Sequence, residues 1–553
     1  MKKYEQWNIR LLGPLGRALD HFCSCHLAQV DFDALLLPFK EKSGPRCGTD
    51  SLLWGEVVNT GIIANHFVKN SDLGAKLRKA VSDMVALQDS GAALSAYPEH
   101  LELQEWDIVG RSNILNALVN AYVYMGEAPE VKAACVKIAV DIMSKVGPGK
   151  RSILHCGKFG GLDSSALLDA VSNLCHICNE CHLIDFARYI ANLGCSQQHN
   201  IFDGIHNVLS PCELGNGNAV WLNNCFEGLA ELSLADAAGS PAWRSRCRRY
   251  FEKLVAEELF ITGTGGGVNA EGSLWCKGAL AQTDATCRGG NFGNSAVTVS
   301  LLRLFEVFQR ALHSHLPAAW AERALYNALL GVWNPENCTW GYLNPGPLSG
   351  FSVKTYSVPE EKISWHNYIA AGGLAMAPLI AARSLEEETG VEINLYEDMN
   401  IELPNWAAIH IRGNFPAADH VHLRIKSRKE FTLALRIPEY CTGVYYQDCR
   451  LDFQKDSYLK IRRTWSFDET LTLQFDPKAR RVAAPGKAPF EALMRGPLVL
   501  TEGTGEEAPD VMTRITRNRC LLTDYASAGR PRNGGAPFRV WFPKEEPDFL
   551  DYD

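Results

Sequence analysis

The chain has 553 residues, and at roughly 100 to 200 residues per domain it holds two or more units. A composition of 46% hydrophobic and 21% charged residues, with 13 Trp, 17 Tyr and 23 Phe, excludes a wholly disordered or collagen-like chain. The net charge of −8 offers no basic field for phosphate backbones, so nucleic acid is excluded as a partner.

The opening MKKYEQWNIRLLGPLGRALDHF has no unbroken apolar stretch and no small-residue cleavage site, so no export signal is expected. The longest apolar run, IAAGGLAMAPLIAA at 369–382, has the length of a buried helix rather than of a membrane span. The 18 cysteines are spread along the chain and read as reduced, mostly buried thiols. The expectation is a cytoplasmic protein with no membrane contact.

From about residue 50 to 385 the apolar residues recur at helical spacing. The segments 73–88, 113–126, 131–147, 165–178 and 248–260 each carry a stripe at i, i+3, i+4 and i+7. Such helices hide their stripes only by pairing, and no repeat of fixed period is visible, so a closed toroid of helix pairs is expected rather than a solenoid. Near 391 the period changes to 2. VHLRIK (421–426), FTLALRI (431–437), YLKIRR (458–463) and LTLQF (471–475) alternate apolar and polar residues, which predicts an antiparallel β-sandwich. The expected division is a helical barrel over 1–390, a sandwich over 391–505, and a C-terminal extension over 506–553 that is irregular or adds a few strands.

Several segments recur together in a specific order: Trp54-Gly55-Glu56, LQDSGAALSAY (87–97), WAERALYNALLG (320–331), GYLNP (341–345), INLY (393–396), LALRIP (433–438) and RGPLVL (495–500). In order and spacing they resemble the β-L-arabinofuranosidase group of glycoside hydrolases, families 127 and 146. The resemblance implies an (α/α)6 barrel followed by a β-sandwich, in agreement with the change of period. It also implies a zinc ion held by a Glu-Thr-Cys segment and a later Cys-Cys pair, one thiolate being the nucleophile. Here the first segment corresponds to Ala285-Thr286-Cys287 and the second to the region 363–367, and no Cys-Cys dipeptide occurs. One thiol does not make a zinc site, so neither metal nor cofactor is expected and the chain reads as a divergent member.

The richest stretch for chemistry is 261–295, ITGTGGGVNAEGSLWCKGALAQTDATCRGGNFGNS. Its glycines permit close backbone approach to a ligand, while the Lys-Ser/Thr of a phosphate loop is missing. The resemblance places the acid/base glutamate at Glu271, and shielding by Trp275 or another aromatic residue suits a carboxylic acid to protonating a leaving oxygen. Asp284 is the candidate second carboxylate, with a helix N-cap as its structural alternative. Asn269 joins the same segment as a substrate contact. A second constellation, Trp106, Asp107, Arg111 and Asn113, marks the start of a helix. In a toroid the helix starts on one rim surround the pocket, so these residues form a candidate sugar subsite, against a structural Asp107–Arg111 ion pair. Trp54 and Glu56 are assigned to the same rim, Trp54 with a core position as alternative. Tyr342 in GYLNP and His366 in SWHN are candidates for orienting substrate or water. CHICNECH (175–182) has metal-like spacing, but Cys175 and Cys178 continue a buried helical stripe, so the segment is read as structural, as is HFCSCH (21–26).

The expected function is exo-acting hydrolysis of the terminal sugar of a small oligosaccharide or glycoside by carboxylate acid/base chemistry. A sugar lyase or epimerase in the same barrel and an inactive carbohydrate-binding relative stay open as alternatives, as does a homodimer.

Overall fold

In the computed structural model the helical stripes become helices with polar starts. It describes residues 7–88, 93–126, 128–178, 180–266, 273–283, 293–336, 338–341, 343–344, 369–385, 388–404, 406–502, 512–517, 520–529, 539–544 and 550–551. The chain divides into two units: Met1–Tyr4, His21–Leu254 and Arg310–Leu312 form one, and Glu5–Asp20, Val255–Gln309 and His313–Asp553 the other.

The first unit is built from helical hairpins: α1 (Asp50–Val68) with α2 (Ser71–Leu87), α3 (Asp107–Tyr124) with α4 (Pro129–Lys145), α5 (Leu167–Ile177) with α6 (Cys181–Leu193), and α7 (Ala219–Ala235) with α8 (Ser240–Lys253). Local chemistry sets their ends. Asn70 caps α2 by accepting from the N–H groups of Asp72 and Leu73 at 3.1 and 3.0 Å. Proline opens α4, and Gly194, at φ +76°, closes α6. Most of the helices begin before the apolar runs that predicted them, because their first turns hold capping and charged residues.

Helix α1 packs on α3, α3 on α5 and α5 on α7, and each has its even-numbered partner behind it. The odd helices are therefore enclosed, and α1 and α3 bury residues on nearly every side, among them Leu52, Val57, Val58 and Ile62 on α1. The even helices bury one stripe, as α2 does with Leu73, Leu77, Ala80, Val81 and Met84. Helices α1 and α3 meet backbone to backbone. A Cβ on Gly55 would stand 2.5 Å from the Cβ of Asn113, and one on Gly110 would stand 2.8 Å from the carbonyl oxygen of Ser51.

In the second unit the period-2 segments form two sheets. The larger runs in the order β1 (Asn8–Leu11), β4 (Met399–Leu403), β5 (Ala407–Arg412), β6 (His420–Ser427), β11 (Glu469–Phe475), β8 (Cys441–Tyr446) and β9 (Cys449–Arg450). The smaller runs β10 (Ser457–Thr464), β7 (Glu430–Ile437), β3 (Gly390–Ile393) and β2 (Ala382–Ser384). All pairs are antiparallel except β3 with β7. Strand β6 alternates as expected, with Val421, Leu423 and Ile425 buried and His422 and Arg424 exposed. Strand β7 does not, because Thr432 and Arg436 are buried as well as Leu433 and Leu435. Its second face is closed by the helix Leu316–Arg323, where Glu322 pairs with Arg436 at 2.7 Å and accepts from the hydroxyl of Tyr440 at 2.7 Å.

A third sheet follows: β12 (Arg480–Ala483), β13 (Phe490–Arg495), β14 (Leu498–Glu502), β16 (Cys520–Asp524), β15 (Arg514–Arg517) and β18 (Leu550–Asp551), with β17 (Phe542–Pro543) on β13. Met494, Val499, Tyr525 and Trp541 form its core with Ile261. Of the described cysteines 15 are free thiols, but the expectation of reduced cysteines does not extend to Cys25 and Cys338. Among the described residues no helix is long and apolar enough to cross a membrane.

Candidate functional site

Three helix N-termini of the first unit each present an aromatic ring. Trp106 is the residue before α3, and the loop behind it is tied down by Asp107. That carboxylate accepts from the hydroxyl of Ser95 at 2.5 Å and from the N–H of Leu103 at 2.7 Å. Burial raises its pKa, and Arg111 pulls the other way. Phe159 stands in the turn before a short helix, Leu162–Ser165, that leads into α5, and there Asp163 accepts from the N–H groups of Lys158 and Phe159 at 2.7 and 3.0 Å. Gly157, at φ +71°, leaves no room for a side chain beside that carboxylate. Trp221 lies in the first turn of α7, its N–H donating to the Asn218 cap at 3.2 Å.

The rings of Trp106, Phe159 and Trp221 form a triangle. Their centroids are 5.7 Å apart for Trp106–Phe159, 6.2 Å for Trp106–Trp221 and 6.3 Å for Phe159–Trp221, within the range of favourable ring contact. Each ring is half-buried. The ammonium of Lys158 lies 5.3 Å from the Trp106 ring centroid and pairs with Glu105 at 2.8 Å.

Two turns further along α3, about 10 Å at the helical rise, Asn113 donates to Glu56 on α1 at 3.1 Å. From there a polar ladder crosses the packed odd helices. Asn120 reaches Asn59 at 2.6 Å, Asn116 reaches Asp169 at 2.9 Å, and Asn173 bonds both Asn116 and Asp169 at 3.1 Å. It ends at His176, 3.1 Å from Glu231, which also holds Arg310. Polar groups at helical spacing inside otherwise enclosed helices are satisfied only by each other or by water. Together with the rings they set an apolar surface beside a hydrogen-bonding one.

The residues expected at this rim occupy two different environments. Trp106, Glu56 and Asn113 are half-buried and face the triangle or the ladder. Trp54, Asp107 and Arg111 are enclosed. Arg111 points to α4, where its guanidinium bonds Asp141 in a cluster with Glu102 and Lys145. Asp107 thus fixes a loop, and Arg111 joins the two helices of a hairpin. Glu271, Asp284, Asn269, Tyr342 and His366 lie outside the described residues, as do 285–287 and 363–367. In CHICNECH, His176 belongs to the ladder and Cys181 is exposed. Burial pushes the Cys175 thiol up to about 12.

Phe159, Trp221 and the ladder were not among the residues expected from the sequence. Their signal was present: aromatic residues at helix starts, in KFGG before α5 and NAVW at the start of α7, and Asn or Asp at three- and four-residue spacing within apolar helices.

A family model described as the middle domain of the GH127 β-L-arabinofuranosidases matches residues 390–477, which span strands β3 to β11. Among solved structures the chain is similar to Ara127N-Se, a GH127 β-L-arabinofuranosidase from Geobacillus stearothermophilus T6. The identity is 16% and the TM-score 0.76, over 97% of this chain and 100% of that one. It is similar also to the GH127 β-arabinofuranosidase BT3674, at 14% identity and a TM-score of 0.77, over 97% of this chain and 96% of that one. A further structure described as a glycoside hydrolase matches at 14% identity and a TM-score of 0.72, over 97% and 96%. No curated protein matches the chain. The fold is shared along nearly the whole chain: a helical barrel followed by antiparallel β-sheets.

Proposed function

We propose that this protein is a glycoside hydrolase of the β-L-arabinofuranosidase type, acting on the terminal sugar of an oligosaccharide or glycoside. The observation that carries the reading is the Trp106–Phe159–Trp221 triangle above the Glu56–Asn113 pair. It stands at the helix N-termini of a fold shared with enzymes of that name. Trp106 and its partner rings take the apolar face of the sugar, and Glu56 and Asn113 its hydroxyls. Trp54, Asp107 and Arg111 hold the rim from behind.

Glu271 is the general acid of this proposal and Asp284 the second carboxylate, with Asn269, Tyr342 and His366 orienting substrate or water. The acid delivers a proton to the leaving oxygen as the glycosidic bond breaks, and the second carboxylate either activates the attacking water or attacks the sugar carbon to form a glycosyl-enzyme that water then hydrolyses. For zinc, the donor set at the corresponding positions is one thiol, Cys287, with alanine at 285 and no cysteine in 363–367. That set does not fit a tetrahedral site, and no step is routed through a metal. The expected outcome is full activity after exhaustive chelation. Elemental analysis finding about one zinc per chain, required for turnover, would replace this scheme with a metal-thiolate one.

The test of the reading is product analysis on a panel of furanosides and pyranosides. Addition of water supports it; an unsaturated product, an isomer or no reaction does not. Glu271→Gln should keep sugar binding and lower turnover by about two to four orders of magnitude. Substrates with a good leaving group should recover much of the loss. A mutant equally slow on activated and natural glycosides assigns Glu271 another role.

A further inference from the structure

A third carboxyl group next to the glycine-rich segment is unused by the scheme above. Glu258 ends a π-helical turn, Leu254–Glu258, that continues α8, a deviation from α-helix that often marks functional positions. It is wholly enclosed. Its Oε2 accepts from the N–H groups of Cys276 and Gly278 at 3.0 and 3.3 Å, and the N–H of Lys277 bears on it as well. Lys277 adopts the left-handed conformation, φ +58°. Three successive N–H groups therefore turn toward one carboxylate, forming an anion nest filled from within the chain. Its other oxygen, Oε1, is buried and has no hydrogen-bond partner among the described residues.

The packing leaves this arrangement little freedom. A Cβ on Gly265 would lie 2.6 Å from the Trp275 ring and 3.2 Å from the Glu258 carbonyl oxygen, and one on Gly278 would lie 2.6 Å from the Phe260 ring. The hydroxyls of Thr264 and Thr298 bond at 2.7 Å, and Gln282 accepts from the N–H of Ile261 at 3.0 Å. The segment held in this way, 273–283, is the one that runs in sequence between Glu271 and Asp284.

We infer that Glu258 is a positioning residue for the hydrolytic reaction, anchoring through the N–H groups of residues 276–278 the segment that joins the two carboxylates of the active site. The inference rests on the functional reading above. Burial pushes Glu258 up to about 7, the three N–H groups pull it down, and the neighbouring Glu257 pushes it up. The carboxyl thus changes charge near neutrality. Ionised, it holds the nest tightly; protonated, it holds it weakly. The part of the pH profile that Glu258 controls should accordingly be a limb with its midpoint near neutral pH.

The experiment compares wild type, Glu258→Gln and Glu258→Ala in the full chain by amide hydrogen exchange and by hydrolysis of nitrophenyl glycosides. Glu258→Gln keeps an oxygen for the nest but cannot ionise. It should hold turnover at every pH near the level that wild type reaches on the acid side of the limb, so that the neutral limb is lost. Glu258→Ala should exchange the amides of 273–283 at least tenfold faster and lose more than tenfold in kcat with KM changed less than threefold. An unchanged exchange rate in Glu258→Ala overturns the anchor. Equal kcat in all three, or a neutral limb that survives in Glu258→Gln, overturns the positioning role. If wild type hydrolyses no glycoside but the exchange pattern is as described, the functional reading fails and the anchor stands.

Discussion

Several carboxyl groups here are wholly enclosed, and their ionisation is tied to the fold. Glu397 shows the consequence. Fully buried, it accepts from the N–H groups of Leu15 and Gly16 at 3.2 Å and from the Tyr326 hydroxyl at 3.3 Å, and desolvation raises it from 4.5 to about 7. Between those values the folded chain holds a proton that the unfolded chain has lost. The stability gained from the proton is complete below pH 4.5, falls as pH rises through 7 and is gone above it, a change of about 3 kcal/mol. Denaturant midpoints measured from pH 4.5 to 8 should show this decline. Glu397→Gln should flatten its own share, leaving that of Glu258; an unchanged slope would mean that the carboxyl is ionised throughout.

At the scale of the element, the approach of α1 to α3 is what places Glu56 against Asn113. Alanine is ordinarily the better helix former by about 1 kcal/mol, so propensity favours Gly55→Ala. The Cβ it adds would lie 2.6 Å from the backbone carbon of Asn113, and overpacking of this kind costs about 1–3 kcal/mol. The close approach wins, and thermal unfolding should fall by several degrees with a weaker Glu56–Asn113 contact. A variant as stable as wild type would show that the two helices can slide apart. Gly55 stands inside the Trp-Gly-Glu motif, which gives that motif a packing reason apart from any contact with substrate.

For the molecule as a whole, the sandwich is closed by a strand from the other end of the chain. Strand β1 pairs with β4 from Asn8 opposite Glu402 to Leu11 opposite Met399, and Ile9 and Leu11 are buried. Removing the first 12 residues should uncover the edge of β4 and the core behind it. Two enclosed aliphatic side chains contribute roughly 3–6 kcal/mol, and a bare edge invites pairing between chains. The expected outcome is lower stability together with concentration-dependent association in light scattering. A truncated chain that stays monomeric with an unchanged denaturant midpoint would show that β1 is dispensable.

The sequence alone determined the two classes of structure. Periods of 3.6 and 2 follow from which backbone face meets the core, and so α2 and β6 were legible from Leu73, Leu77 and Met84 or from Val421, Leu423 and Ile425. Enclosure on both faces erases that signal. Strand β7 reads as half-exposed, yet Arg436 is buried because Glu322, 114 positions earlier in the chain, neutralises it. Trp106, Glu56 and Asn113 stood out in the sequence as a helix start and a motif, and the Glu56–Asn113 hydrogen bond between them is a product of packing. Phe159 and Trp221 join Trp106 only once α3, α5 and α7 stand side by side, and Arg111 turns away to Asp141 for the same reason. Helix and strand are properties of local spacing and could be read. Which polar groups share a site, and what burial does to the charge of Glu258 and Glu397, depend on neighbours that only the tertiary structure supplies.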